Sequence, residues 1–385
     1  MPTIRVLAVD GGGVRGILPA KVLTWLEAQT GKRCSEMFHF MAGTSNGAVM
    51  TSGLAKPNPL SAQELLDIYV TTSGKVFHQS LWRKITTLDG LIGPKYGAEY
   101  YESVLQKALG KDTLLSDVRD VELLLTTYDM YGSRPYFFKS WRARGDLSPR
   151  SRAEAQLGLG EVEDSKARDF PLWLAARCSS AAPTYFPTAL AVSQAGTNFP
   201  CTDGGVYAND PGMCAFASIL RLYRKELEAG DLEIQIMSIG TGGVNYRYTY
   251  EESRGWGKLG WAIPSLNVMF DGTNKTVDYQ LAEIFGGQHS NRGPAFLALP
   301  SLQLESSRYY RIQSNMGNPR DNPAHASTDL DDASPENIEK LLIAGDAMIK
   351  NNIASLEELA EMLKAPKDPV SVDDDIPEVA ETELV

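Results

Sequence analysis

Two short apolar segments near the amino terminus each end in glycine and are each followed by a helical pattern. The first covers Ile4–Val9 and stops at Asp10-Gly11-Gly12-Gly13, and the second covers Met37–Ala42 and stops at Gly43. Nearly continuous apolar runs of this length are typical of strands buried on both faces. Parallel neighbours in a sheet need a crossover, usually a helix. The order strand, helix, strand, helix therefore predicts an α/β fold in three layers, with a central, largely parallel sheet.

Later segments extend this pattern. Apolar runs bounded by turn residues predict strands over Val121–Thr127 and Glu233–Ile239. A helix is predicted to begin at Ser334-Pro335, and Ser355-Leu356-Glu357-Glu358 has the form of a capping box for a last short helix. Between about residues 56 and 110 the sequence is aromatic and lacks clear periodicity. We interpret that stretch as an insertion that covers the substrate.

The chain divides into three parts. We expect a core over residues 1–245, which the resemblance given below implies is catalytic, an extension over residues 246–364 that packs on this core, and a tail over residues 365–385. The tail contains prolines and the run Asp373-Asp374-Asp375, which is too polar to join a hydrophobic core. It is therefore predicted to be disordered.

Charge and cysteine content limit the class of protein. The formal net charge of −11 argues against a nucleic-acid partner, because such proteins need a basic surface that displaces counterions from phosphates. The four cysteines form no C-x-x-C pair, so neither a disulfide framework nor a zinc site is expected. No apolar run reaches the ~20 residues of a membrane span, and no signal-peptide pattern is visible. We expect a cytoplasmic protein, and its oligomeric state stays open.

The second strand ends in a pattern that is typical of a nucleophilic serine. In Gly43-Thr44-Ser45-Asn46-Gly47, a serine has a glycine two residues away on each side and lies between a strand and a helix. The glycines permit a tight turn that presents the hydroxyl at the amino terminus of the helix. On its own the pattern is equally consistent with a structural turn.

The first strand ends in the glycine-rich segment Gly11-Gly12-Gly13-Val14-Arg15-Gly16. Unsubstituted backbone can approach a ligand closely and direct N–H groups at negative charge, so beside a nucleophile this segment forms an oxyanion hole. The same letters satisfy the dinucleotide fingerprint G-x-G-x-x-G. That interpretation requires a carboxylate at the end of the second strand, where this chain has Met41-Ala42-Gly43, and it is therefore disfavoured.

The third segment is Thr202-Asp203-Gly204-Gly205, which on its own is most simply a turn. In this order the three segments resemble the motifs of the patatin-like phospholipases: a glycine-rich oxyanion loop, G-x-S-x-G and D-G-[GA]. Further similarity lies in Ala176–Pro187 and Ile236–Gly242, with a weaker match at Tyr309–Gln313. The resemblance thus extends from Ile4 to about Gly242.

The resemblance implies a role for each motif residue. Ser45 is the nucleophile and Asp203 the general base, which is feasible without histidine if burial raises the pKa of the carboxyl group. The oxyanion and substrate-binding segment comprises Gly11, Gly12, Gly13, Arg15 and Gly16, in which Arg15 orders the loop or meets a phosphate. Support for the two turns comes from Gly43, Gly47, Gly204 and Gly205. Ala48 departs from the plant pattern, which has glycine there.

The resemblance also implies the reaction and the partners. The expected substrates are phospholipids, lysophospholipids or other fatty acyl esters, cleaved through an acyl-enzyme during transient contact with a membrane surface. Neither a metal nor an organic cofactor is implied. A Ser-His-Asp esterase that uses His289 or His325 is an open alternative. A phospholipase effector switched on by a nucleotide signal is another, with a control site after Gly243.

Overall fold

In the computed structural model of the chain, residues 2–78, 93–145, 165–243, 248–285, 308–317 and 322–369 are described. They contain one eight-stranded sheet with helices on both faces. The strands are β1 (Thr3–Val9), β2 (Phe40–Gly43), β3 (Glu122–Asp129), β4 (Arg134–Lys139), β5 (Ala189–Val192), β6 (Asn198–Asp203), β7 (Glu233–Ile239) and β8 (Arg308–Ile312).

The helices differ widely in length, from one turn to 27 residues. They are α1 (Ile17–Thr30), α2 (Cys34–Met37), α3 (Asn46–Ala55), α4 (Ala62–Val76), α5 (Glu99–Leu109), α6 (Ser140–Ala143), α7 (Leu172–Ser179), α8 (Gly205–Ala208), α9 (Gly212–Leu222), α10 (Arg224–Ala229), α11 (Tyr250–Ser253), α12 (Lys258–Ile284), α13 (Pro335–Asn351) and α14 (Ile353–Lys364). Short 3-10 turns lie at Gly13–Gly16, Leu115–Asp117 and Ser165–Ala167. None of the helices in the described ranges has the length and apolarity needed to cross a bilayer.

The sheet is mixed but mostly parallel. Its strand order is β5-β6-β3-β2-β1-β7-β8, and β4 pairs with β3 off this path. The run from β3 through β2, β1 and β7 to β8 is parallel, whereas β4 and β6 are antiparallel to β3. The predicted three-layer α/β fold with a largely parallel sheet is confirmed.

Side chains of β1 alternate between two hydrophobic cores, one on each face of the sheet. Leu7 and Val9 belong to a core shared with α1, α3, α13 and α14. Ile4 and Val6 belong to a second core, which is closed by α9 and α10 and by Leu281 of α12. Because successive residues of a strand point to opposite faces, a strand covered on both sides must be apolar throughout. This is why Ile4–Val9 is apolar at every position except Arg5.

Two boundaries differ from the sequence prediction. The strand predicted over Met37–Ala42 begins only at Phe40, because the preceding residues Cys34–Met37 form the short helix α2. The capping box predicted at Ser355 is wrong. Helix α14 already begins at Ile353, since a single residue, Asn352, separates it from α13 and acts as its N-cap. The side-chain amide of Asn352 donates to the carbonyl oxygens of Gln313 and Met348 and so holds the junction between α13 and α14 in place.

The stretch between residues 56 and 110 is more regular than the sequence suggested. It contains α4 and α5, and α4 starts with a capping box in which the Ser61 hydroxyl accepts a hydrogen bond from the amide of Glu64. The apolar residues of α4 are divided between two environments: Leu66 packs in the core that contains Leu7, whereas Ile68 lines the pocket described below. Val104 of α5 lines the same pocket. Residues 79–92 of this stretch lie outside the described residues.

Segments after residue 245 contribute to the main body of the fold. Strand β8 pairs with β7 in the same sheet, and α13 packs along α1. Residues 365–369 of the polar tail also contact the body. The Lys367 ammonium donates to the carbonyl oxygens of Ser35 and Asp120, and the Asp368 carboxylate accepts from the amide of Thr3. The acidic run Asp373-Asp374-Asp375 lies outside the described residues.

Candidate active site

Two strand ends meet at one edge of β3. Strand β2 ends with Gly43 opposite Leu125, and the antiparallel strand β6 ends with Asp203 opposite Thr127. Strand β4 occupies the other edge of β3 from Leu124 to Asp129, so β2 and β6 share the remaining edge and point at each other. The residues that follow β2 and those that end β6 are therefore brought together by backbone pairing.

Ser45 lies at the turn between β2 and α3 in a backbone conformation that non-glycine residues rarely adopt, with φ 55° and ψ −123°. Its amide donates to the Ser179 hydroxyl at 2.9 Å. The flanking glycines are sterically required. A Cβ on Gly43 would lie 2.4 Å from the carbonyl oxygen of Gly47, and a Cβ on Gly47 would lie 2.2 Å from that of Val9. The turn has the geometry of a nucleophile elbow.

Asp203 is 1% exposed and lies beside Ser45. Burial raises the pKa of its carboxyl group to about 7, although hydrogen bonds from the Ser45 side chain and the Gly205 amide and the charge of Arg177 act in the opposite direction. The Gly205 amide donates to Asp203 Oδ1 at 2.7 Å. A Cβ on Gly204 would lie 2.1 Å from Thr126 Oγ1. The two glycines after Asp203 therefore provide close packing and an amide donor.

The glycine-rich segment is held from two sides. The amide of Gly11 donates to the carbonyl of Asn209, while its own carbonyl accepts from Asn209 Nδ2 at 3.2 Å and from Thr241 Oγ1 at 2.9 Å. Gly13 has φ +57° and approaches Leu330 so closely that a Cβ would lie 2.1 Å from the Leu330 carbonyl oxygen. The amides of Gly12 and Gly13 donate to no acceptor among the described residues, and both residues line the pocket that contains Ser45.

Two polar side chains of these motifs are buried without full partners. Arg15 is 8% exposed and donates from Nε to the Gly12 carbonyl at 3.4 Å, and no carboxylate within the described ranges lies at ion-pair distance from it. Asn46, next to Ser45, is 6% exposed, and neither Nδ2 nor Oδ1 has a hydrogen-bond partner in the described part of the chain. Gly16 leaves room for it, since a Cβ there would lie 2.3 Å from Asn46 Nδ2.

A buried charge network that the sequence analysis missed lies beneath the glycine segment. The Arg311 guanidinium donates to both oxygens of Asp10, at 2.9 and 2.6 Å, and to Asp210 Oδ2 at 3.0 Å. Both carboxylates are fully buried, and burial raises the pKa of Asp10 to about 7 against the opposing charge of Arg311. Asp10 precedes Gly11, and Asp210 follows Asn209. The network therefore connects β8 to both segments that hold the glycine loop.

Ser45 and Asp203 open into a pocket with a mainly apolar lining. The largest share of this lining comes from α4 and α5, within the stretch over residues 56–110, whose role in covering the substrate stays a prediction. The larger apolar side chains include Leu65, Ile68, Tyr69, Val76, Phe77, Tyr101, Val104, Leu105, Tyr185, Phe186 and Phe270. Such a lining accommodates a hydrocarbon chain.

No histidine in the described ranges lines this pocket. His325 is half-buried and lies against Gly317. The Nδ1 atom of His39 accepts a hydrogen bond from the Arg5 amide, and its Nε2 atom donates to the Asp368 carbonyl. His289 lies outside the described residues. The described part of the chain also holds no cluster of three or more His, Cys, Asp or Glu side chains that could bind a metal ion.

A candidate nucleophile at a strand-to-helix turn, a buried carboxylate beside it and a glycine loop with free amides define a class of α/β protein in which hydrolases are common. The pattern of the patatin-like phospholipase family matches residues 7–213. This match covers more than half of the 385 residues, and the chain belongs to that family.

Several known proteins are similar along most of the chain. Patatin-like protein 2 of Oryza sativa subsp. indica is 29% identical over 92% of this chain and 85% of its own length. Patatin group J-1 of Solanum tuberosum is 25% identical over 94% and 88%. Among solved structures, human GIVD cytosolic phospholipase A2 aligns with a TM-score of 0.42 at 13% identity, covering 94% of this chain and 60% of the other.

Proposed function

We propose that the protein is a lipid acyl hydrolase that cleaves fatty acyl esters of phospholipids or lysophospholipids with a Ser45–Asp203 dyad. The observation that carries the proposal is the buried Asp203 carboxyl group, whose pKa burial raises to about 7, next to the strained Ser45. A base works best when its pKa lies near the working pH. Family membership and the apolar pocket support a lipid as the substrate.

The reaction proceeds in two halves. Ser45 Oγ attacks the ester carbonyl as its proton passes to Asp203, and the amides of Gly12 and Gly13 hold the oxyanion. The alcohol leaves with the proton from Asp203, so the acyl group remains as an ester of Ser45. Water then attacks this ester while Asp203 again takes the proton, and Asp203 returns it to Ser45 Oγ as the fatty acid leaves. The dyad needs no metal ion or organic cofactor in this scheme.

The apolar pocket binds the acyl chain of the substrate. An alkyl chain that moves from a bilayer into such a pocket remains in apolar surroundings, so transfer is not opposed by exposure to water. The net charge of −11 disfavours broad electrostatic adhesion to anionic membranes. We therefore propose brief contact with a membrane surface rather than stable attachment, and cytoplasmic localisation stays a prediction.

The test is release of fatty acid from mixed phospholipid vesicles by the wild type, Ser45→Ala, Asp203→Asn and His289→Ala. We expect the first two changes to lower the rate by at least about 10³-fold, and the histidine change to have little effect. Circular dichroism checks that each variant is folded. Equal loss in His289→Ala would replace the dyad with a Ser-His-Asp triad. A folded wild type that releases no fatty acid from any lipid would contradict the proposed activity.

A further inference from the structure

Ser179, the last residue of α7, lies between the two segments that carry the proposed dyad. Its hydroxyl accepts a hydrogen bond from the Ser45 amide at 2.9 Å, and its carbonyl accepts one from the Gly204 amide at 3.3 Å. Gly204 directly follows Asp203. One residue is therefore bonded through its side chain to the backbone of the candidate nucleophile and through its main chain to the residue after the candidate base.

The carboxyl end of α7 is suited to this role because the last carbonyl groups of a helix have no partner within the helix. The Cys178 carbonyl accepts a hydrogen bond from the Thr127 hydroxyl of β3 at 3.1 Å. Just beyond the helix, the Ala181 carbonyl accepts one from the Asp203 amide, also at 3.1 Å. The end of α7 is thus held against β3 and β6 by main-chain acceptors, and its last residue adds the side-chain bond to the serine turn.

The Ser45 turn needs an acceptor from outside its own elements. Strand pairing of β2 ends at Gly43, and the Ser45 amide lies before the first turn of α3, where backbone N–H groups have no helical acceptor. An amide shielded from water and left without an acceptor is unfavourable, so the turn would relax to expose it. The Ser179 hydroxyl supplies the acceptor and thereby opposes relaxation of the strained φ of 55° at Ser45.

Ser179 acts through Ser45 and not on the substrate. It is 0% exposed and is not among the described residues that line the apolar pocket. Its neighbour Ser180 does line the pocket, and the Ser180 hydroxyl accepts a hydrogen bond from that of Tyr101. A change at Ser179 should therefore alter the rate of the chemical step and leave binding of the acyl chain largely as it is.

We propose that Ser179 is a positioning residue, which holds the Ser45 turn so that the Ser45 hydroxyl stays at hydrogen-bond distance from Asp203. The inference rests on the proposed acyl hydrolysis and adds to it a residue outside the three sequence motifs. The shared edge of β3 brings the two strand ends together, and Ser179 holds the residues that follow those ends. A displacement of about 1 Å at a reacting group can lower the rate by about 10²-fold.

The first test is hydrolysis of a p-nitrophenyl acyl ester by the wild type, Ser179→Ala, Ser179→Thr and Ser179→Val. Threonine and valine have nearly the same shape, so this pair isolates the effect of the hydroxyl group. We expect kcat to fall at least about tenfold in the alanine and valine variants with little change in KM, and the threonine variant to keep most of the activity. Ser140→Ala is the matched control, because Ser140 is also 0% exposed and its hydroxyl also accepts from a backbone amide, that of Leu123, at 2.9 Å.

The pH profile of kcat/KM separates positioning from a loss of folded protein. In the wild type, the hydrogen bond from the Ser45 side chain lowers the pKa of Asp203 against the larger effect of burial. If Ser45 moves away in Ser179→Ala, this pKa rises, and the acid limb of the profile shifts to higher pH. A smaller amount of folded protein would scale the whole profile without shifting it.

Hydrogen exchange in the peptide that contains Ser45 is a measurement that does not depend on turnover. We expect faster exchange in Ser179→Ala and Ser179→Val than in the wild type and Ser179→Thr, and no change there in Ser140→Ala. Unchanged exchange or wild-type kcat in Ser179→Ala would refute the positioning role, and so would an equal loss of kcat in Ser140→Ala. If the wild type hydrolyses no ester, the proposed function fails, and exchange alone then supports or refutes the hold of Ser179 on the serine turn.

Discussion

Ser45 and Asp203 are each held in a state that lowers the stability of the fold. A non-glycine residue with positive φ lowers the stability of the fold by about 1–3 kcal/mol. The close packing of Gly43 and Gly47 holds Ser45 in this conformation. Asp203 is fully buried, and its raised pKa shows that the fold favours the neutral carboxyl group. The proposed base must nevertheless be ionised to work. Catalysis and stability therefore make opposite demands on this residue.

We predict that Asp203→Asn is more stable than the wild type at pH 8, with a Tm higher by about 3 °C or more. The folded-state pKa of about 7 exceeds the unfolded value near 3.8, so the folded protein binds this proton more tightly, and stability falls as pH rises through this window. The asparagine side chain can still accept the hydrogen bond from Gly205. At pH 5 the advantage should shrink, because wild-type Asp203 is then protonated. A lower Tm for the variant at pH 8, measured by scanning calorimetry, would contradict the argument.

The glycine turns beside Ser45 and Asp203 leave a signal in the sequence because their surroundings are local. Gly43, Gly47 and Gly204 are required by contacts within a few residues or with a single neighbouring strand, and such requirements leave a short motif. Arg311 gives no such signal, since its partners Asp10 and Asp210 are brought to it only by the order of strands in the sheet. The prediction at Ser355 was wrong although the pattern was local. Asn352 already acts as the N-cap of α14, so Ser355 lies inside the helix.

At the level of elements, β8 supports the glycine loop through one side chain. Arg311 bonds Asp10 at the end of β1, Asp210 before α9 and the Ser238 hydroxyl on β7 at 2.6 Å. Three strands and a helix start are thereby joined below the free amides of Gly12 and Gly13. A buried ion network of this kind adds little to stability when intact but is costly when one partner is removed.

We predict that Arg311→Met lowers the free energy of unfolding at pH 8 by about 3–5 kcal/mol, because two buried carboxylates lose their cation. The deficit should become smaller at pH 5, since Asp10 and Asp210, whose pKa values burial raises, then take up protons. Denaturant unfolding at both pH values measures this. Arg224→Met is the control, because its ion pair with Glu228 is exposed and contributes about 1 kcal/mol at most. A deficit in Arg311→Met that does not change with pH would contradict the charge argument.

At the level of the whole molecule, the folded body extends beyond the residues that match the family pattern. The family pattern covers residues 7–213, but β8 completes the sheet beside β7 and α13 covers α1. The carbonyl of Leu330 also accepts a hydrogen bond from the Val14 amide at the start of the glycine turn. The later part of the chain therefore supports the candidate active site as well as the core.

We predict that a chain ending at residue 245 does not fold. It would lack Arg311, the strand that pairs with β7 and the helix that covers the apolar face of α1, including Leu18 and Val22. Soluble expression and hydrogen exchange at the amides of β1 and β7 measure the outcome, with the chain ending at residue 369 as control. Protection of β1 and β7 amides in the shorter chain would contradict the prediction and support an autonomous core over residues 1–245.

The meeting of β2 and β6 along one edge of β3 has a consequence for how such a protein can change over time. One residue of β3, Thr126, lies between the partners of Gly43 and Asp203, and its hydroxyl bonds that of Thr44 at 2.8 Å. The spacing of Ser45 and Asp203 is thus set by a strand that contains neither. A change of length in a connecting loop leaves this pairing intact, whereas a single residue inserted at Thr126 would separate the two side chains.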